Sequence, residues 1–182
     1  AKIKMENHNL TLITALHNYD FSYVLSLDCS LVIFTEHKFW DDAYNLRKKH
    51  SLHHKTVFMI EDSIKITLID KFEFIKRIIE KNPFNTTHIG WIDAGISGYS
   101  NKNYAKSLLE YLPDAVHVHL YNADDHQNMS ENLWIGPIEK TKIFIQYAET
   151  QQNTANNIIN QNRDLFTFSY GPQHHLLMNW KF

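Results

Sequence analysis

Cysteine occurs once, at Cys29, so the chain cannot close an intramolecular disulfide and nothing in it signals a secreted, disulfide-stapled fold. No apolar stretch approaches the roughly 20 residues that span a bilayer. The opening AKIKMENHNL lacks the apolar core of a signal peptide. A cytoplasmic protein without a membrane span is the expectation. Charge of one sign is also missing: 18 basic side chains stand against 20 acidic ones, which leaves no general field for nucleic acid or an anionic membrane. The same balance argues against single-stranded nucleic acid stacked on exposed aromatics. There is no Pro/Gly/Ser-rich linker and no internal repeat, and 182 residues suit one domain over 1–182. What the sequence does have is aromatics, 13% of the chain, a load that usually serves a core.

Glycine is scarce, with five in the chain, yet three fall in HIGWIDAGISG, residues 88–98, around Asp93. The neighbouring pattern explains where that stretch belongs. Residues 11–16 (TLITAL), 31–35 (LVIFT), 56–60 (TVFMI) and 88–92 (HIGWI) read as strands, the second apolar throughout as in a doubly covered parallel sheet. Between them, residues 41–50 and 71–81 read as helices, the latter stopped by Asn82-Pro83. Further on, 101–112 reads as a helix, 115–121 as a strand, 138–148 as a helix and 165–170 as a final strand. The asparagine-rich stretch 151–162 is either a solvated continuation of a helix or a mobile segment. Alternating strands and helices predict an α/β sandwich with a mostly parallel central sheet. Ligands of such sheets bind beyond the carboxyl ends of the strands. Asp93 is then placed where ligands go.

A carboxylate there can hold Mn²⁺ or Mg²⁺ through oxygen. Gly95 would let backbone N–H groups approach phosphate oxygens. Ser97 or Ser100 would cap a helix starting near Asn101. The plain alternative is a strand-end aspartate that binds its own turn.

The segment NPFNTTHIGWIDAGIS, residues 82–97, resembles the one that identifies the HtrL/YibB-type glycosyltransferase family. TAL (14–16), LVIFTE (31–36), Arg47 in YNLRKKH, KTVFMI (55–60) and LFTFSYGPQHH (165–175) follow in the family's order. The resemblance implies a GT-A-like three-layer sandwich that binds a nucleotide-sugar. It also implies transfer of the sugar to a hydroxyl-bearing glycan or glycoconjugate acceptor, assisted by Mn²⁺ or Mg²⁺. Asp93 takes the place of the first acid of an Asp-x-Asp motif, with Gly95 at the second. His174 or His175 is then the expected further metal ligand. Thr14, Ala15, Leu16, Thr35 and Glu36 would hold base and ribose, Arg47 the diphosphate, and Trp91 the exit of the strand. Asp93, Asp124, Asp125 and His174 are the catalytic candidates.

Two other readings compete. A non-catalytic or degenerate nucleotide-sugar-binding module fits the half-complete acidic motif. A metal-dependent hydrolase would use histidines such as His117 and His119, which alternate on one strand face. Such histidines more often line a half-exposed sheet. The basic stretch KKHSLHHK (48–55) reads as a solvated helix end and loop, and Cys29 as a small buried residue.

Overall fold

The structure, a computed structural model, describes residues 9–17, 20–95, 112–120, 131–150, 163–171 and 175–182. Eight strands form one sheet: β1 (Leu10–Ala15), β2 (Ser30–Thr35), β3 (Thr56–Ile60), β4 (His88–Ile92), β5 (His117–Leu120), β6 (Glu131–Pro137), β7 (Phe166–Gly171) and β8 (His175–Trp180). Their spatial order is β3-β2-β1-β4-β6-β5-β8-β7. The first four are parallel neighbours, whereas every pairing from β4–β6 to β7–β8 is antiparallel. The α/β expectation holds, and the sheet is mixed: one parallel half and one antiparallel half.

Helices cover both faces. Ile13, Ala15, Val32, Phe34, Ile89 and Trp91 point toward α3 (Leu68–Lys81) and α4 (Ile138–Thr150). The alternate residues Leu10, Leu12, Leu31, Ile33 and Ile92 point toward α1 (Ser22–Leu25) and α2 (His37–Lys49). The period of two therefore feeds two cores, and this is why the parallel strands read as continuously apolar. α3 begins at Leu68, three residues before the sequence expectation. Thr67 and Asp70 form a reciprocal capping box there. It ends as expected, with Asn82 in the left-handed conformation at φ 35°.

The join between the two halves has a local cause. Trp91 of β4 lies opposite Trp134 of β6, and their rings stack with centroids 6.1 Å apart. Phe74 of α3 stacks on the same Trp91 ring at 6.1 Å and 8°. One residue earlier, a Cβ on Gly90 would sit 2.4 Å from the Trp134 carbonyl oxygen and 2.9 Å from Leu12 and Ile135 side-chain carbons. Gly90 is thus required by close strand packing, not by a ligand.

Cys29 precedes β2 and is buried among the residues facing α1 and α2. Burial pushes its thiol up to about 11; the charge of Arg47 works against that rise, that of Asp28 adds to it, and that of Lys55 opposes it. The folded value lies above the ordinary 9.0, so the folded state holds this proton more tightly. The stabilisation is complete below the unfolded pKa and is lost as pH rises toward about 11. We expect slow thiol alkylation of native protein at pH 8 and rapid alkylation in denaturant. Between pH 9 and 11 stability should fall less steeply in Cys29→Ala than in the parent. Native-state alkylation at the rate of a free thiol would contradict the burial.

Candidate functional site

Parallel register sets the ends of β1, β2 and β4 side by side at one edge. Ala15 pairs with Phe34, and Ile13 with Trp91. Leu16, Glu36 and Asp93 therefore follow neighbouring strand ends, in the order β2-β1-β4 with roughly 4.8 Å per step. Asp93 leaves β4 at this edge, its side chain 25% exposed.

The carboxylate is not alone. Trp91 donates its indole N–H to Asp93 Oδ1 at 2.6 Å. Lys71 Nζ lies 3.1 Å from the same oxygen and is 6% exposed in its side chain. That ammonium also sits 5.7 Å from the centre of the Trp91 ring. The local reason is geometric. Lys71 stands in the first turn of α3 on the stripe that continues through Ile75 and Ile78, so the helix turns it into the core. A cation so buried needs a partner, the more so near a helix N-terminus, whose dipole disfavours positive charge. Asp93 is that partner. The reading of sequence missed Lys71, although a lysine on the apolar stripe was visible in KFEFIKRIIEK.

The other expected residues divide into three groups. Thr14, Ala15, Leu16 and Thr35 lie at the right edge but are 0–1% exposed, so their side chains form a floor and cannot grip a base or ribose directly. The Thr14 hydroxyl oxygen is buried without a hydrogen-bond partner. The Thr35 hydroxyl donates to the Glu36 carbonyl at 2.9 Å. Glu36 reaches solvent and pairs with Lys38 at 3.2 Å. Gly95 is exposed beyond Asp93. Trp91 is fully buried and holds the Asp93 carboxylate, so its part at this edge is positioning.

Arg47 is a correction. It lies inside α2 with no exposed surface. Its Nε donates to Thr56 Oγ1 at 2.7 Å, one terminal nitrogen to the carbonyls of Leu25 and Leu27 at 3.0 and 2.8 Å, and the other to that of Cys29 at 2.8 Å. Thr56 opens β3 and Cys29 precedes β2, so this cluster sits at the amino ends of the strands, opposite Asp93. Burial lowers the pKa of the guanidinium, and the charges of Cys29 and Asp28 work to raise it. The group ties the segment after α1 to the sheet and has no fork to offer a diphosphate.

His175 opens β8 at the same sheet edge as Asp93, since Leu120 pairs with Leu176 and His119 with both Leu133 and Leu177. Three strand steps separate β8 from β4, roughly 14 Å along the edge. Asp124, Asp125, His174, Ser97, Ser100, the expected helix from Asn101 and the stretch 151–162 lie outside the described residues. Among the described residues no group of three or more His, Cys, Asp or Glu side chains could hold a metal ion. An ammonium already occupies the inner oxygen of the one carboxylate expected to bind it. Asp93 alone among the described residues does not make a site for Mn²⁺ or Mg²⁺. Nor, among them, is any helix long and apolar enough to cross a membrane. Compared with known proteins, the chain matches no family model, and no curated protein is significantly similar to it.

Proposed function

We propose that the chain is a nucleotide-sugar-binding domain of the GT-A-like glycosyltransferase type, acting between a nucleoside-diphosphate sugar and a hydroxyl acceptor. The observation that carries this reading is the shared edge at which β1, β2 and β4 end, with a partly exposed carboxylate and a buried ammonium side by side at Asp93. Parallel strand ends are where α/β sheets take nucleotides. The ribose hydroxyls would donate to Glu36, an acidic side chain at the end of β2. The diphosphate would lie over the end of β4, where exposed Gly95 leaves backbone N–H groups approachable. Asp125 and His174 remain the proposed acceptor-side proton carriers.

A thermal-shift series with UDP-, GDP- and ADP-sugars tests this. A ligand at 100 times its Kd should stabilise the fold by about 2.7 kcal/mol. No shift with any of them at millimolar concentration would remove the reading. One observation favours the non-catalytic version: Asp93 Oδ1 is already committed to Lys71 and Trp91. Nucleotide-sugar binding without sugar transfer or hydrolysis would select that version.

A further inference from the structure

We infer that Lys71 supplies, from within the fold, the positive charge against which a diphosphate binds at this edge, so that binding needs no divalent cation. The inference rests on the proposed nucleotide reading and goes beyond it by naming the charge. Four observations point the same way. Lys71 is a nearly buried cation at the carboxyl edge of the sheet, the edge at which Glu36 and Asp93 leave their strands. Its ammonium touches a side chain that is itself 25% exposed, the Asp93 carboxylate. Among the described residues, both close contacts of Asp93 fall on Oδ1, which leaves the carboxylate hinged on one oxygen beside Trp91. And the ammonium sits 5.7 Å from the centre of the Trp91 ring, which holds it at this edge.

The charge arithmetic decides the geometry. Lys71 and Asp93 together are neutral, so a dianionic diphosphate gains only if it meets the ammonium more closely than the carboxylate does. Rotation of Asp93 away from Lys71 gives the phosphate that access, and the ammonium exchanges one oxygen anion for another without leaving the apolar stripe of α3. The resting pair keeps the buried cation compensated while no ligand is present. A lysine acting as a point charge on a phosphate is a common arrangement. A bound divalent cation would do the reverse: it would compete with the ammonium for Asp93 and set two positive groups side by side at short range.

Isothermal titration of UDP and GDP into the full chain, in EDTA and then in Mn²⁺, tests this. We expect binding in EDTA, changed less than about threefold by Mn²⁺. Asp93→Asn removes the competing charge and should tighten metal-free binding several-fold, and Lys71→Gln should weaken it at least tenfold. If Lys71→Gln fails to fold, the Asp93→Asn result decides alone, because a metal account requires that variant to lose binding. Binding that appears only with Mn²⁺, or is abolished in Asp93→Asn, overturns the inference while leaving the nucleotide reading intact. Binding of neither nucleotide under either condition refutes both.

Discussion

Replacing Arg47 with methionine is expected to lower the free energy of unfolding by about 3–5 kcal/mol and to leave nucleotide binding unchanged in whatever protein folds. The guanidinium donates four hydrogen bonds, three of them to the carbonyls of Leu25, Leu27 and Cys29. Methionine fills much of the volume but leaves three acceptors buried without a donor. Each costs on the order of 1–3 kcal/mol, offset in part by no longer desolvating a charge. Lysine should rescue poorly, because a single ammonium cannot reproduce the planar fork that reaches two sides at once. Denaturant midpoints measure this directly. A loss of ligand affinity at unchanged stability would instead return Arg47 to the diphosphate.

The second expected result concerns Asp93. A metal ligand in an unfilled site can usually be neutralised at little cost to stability, whereas here Asp93→Asn should destabilise the fold by about 1–3 kcal/mol. The asparagine can still accept from Trp91 and Lys71, but the buried ammonium loses the negative charge of Asp93. The partial exposure of Asp93 keeps the cost below that of a fully buried pair. In a double-mutant cycle with Lys71→Met, most of the loss should vanish, since no cation is left to strand. Additive effects of the two substitutions would show that the 3.1 Å contact contributes nothing to stability.

The parallel half of the sheet was legible because its information is local. Strands β3 and β4 fall at the residues their apolar runs mark, and β1 and β2 differ by one residue at their ends. Of the antiparallel half, the runs 115–121 and 165–170 mark β5 and β7, whereas β6 and β8 went unmarked. In ENLWIGP, Gly136 and Pro137 argue locally against a strand, and HLLMNW comes shortly after Gly171-Pro172 in the sequence. Both are strands because of what they pair with: β6 is held by the Trp91–Trp134 stack and by the close approach at Gly90. No local period encodes a partner some forty residues away.

The site divides in the same way. Asp93 was located from its place after an apolar run, and the glycine preceding it was misleading in kind, since Gly90 serves packing. Arg47 reads as an available cation in YNLRKKH because spacing does not reveal that α2 turns it onto the segment after α1. Lys71 went the other way. Its position on the apolar stripe, and the Thr67/Asp70 capping box that fixes the helix start, are both present in the sequence. What the sequence does not contain is the identity of the counter-ion, which depends on how α3 lies across β4.

Nucleotide-sugars that bind at the edge where Asp93 and Lys71 meet should disturb the indole N–H of Trp91, which donates to that carboxylate. That proton is donated to Asp93 Oδ1, while the ring itself has no exposed surface, so its resonance responds to any disturbance of the carboxylate. In ¹⁵N-labelled protein two of the four tryptophan indole resonances, those of Trp91 and Trp180, can be assigned with Trp91→Phe and Trp180→Phe. Trp180, at the opposite end of the sheet beside Val116, serves as the internal reference. A UDP- or GDP-sugar in EDTA is expected to shift the Trp91 indole resonance saturably and to leave that of Trp180 in place. A nucleotide-sugar that binds and saturates without moving Trp91, or a Trp91 resonance indifferent to every nucleotide-sugar, would contradict it.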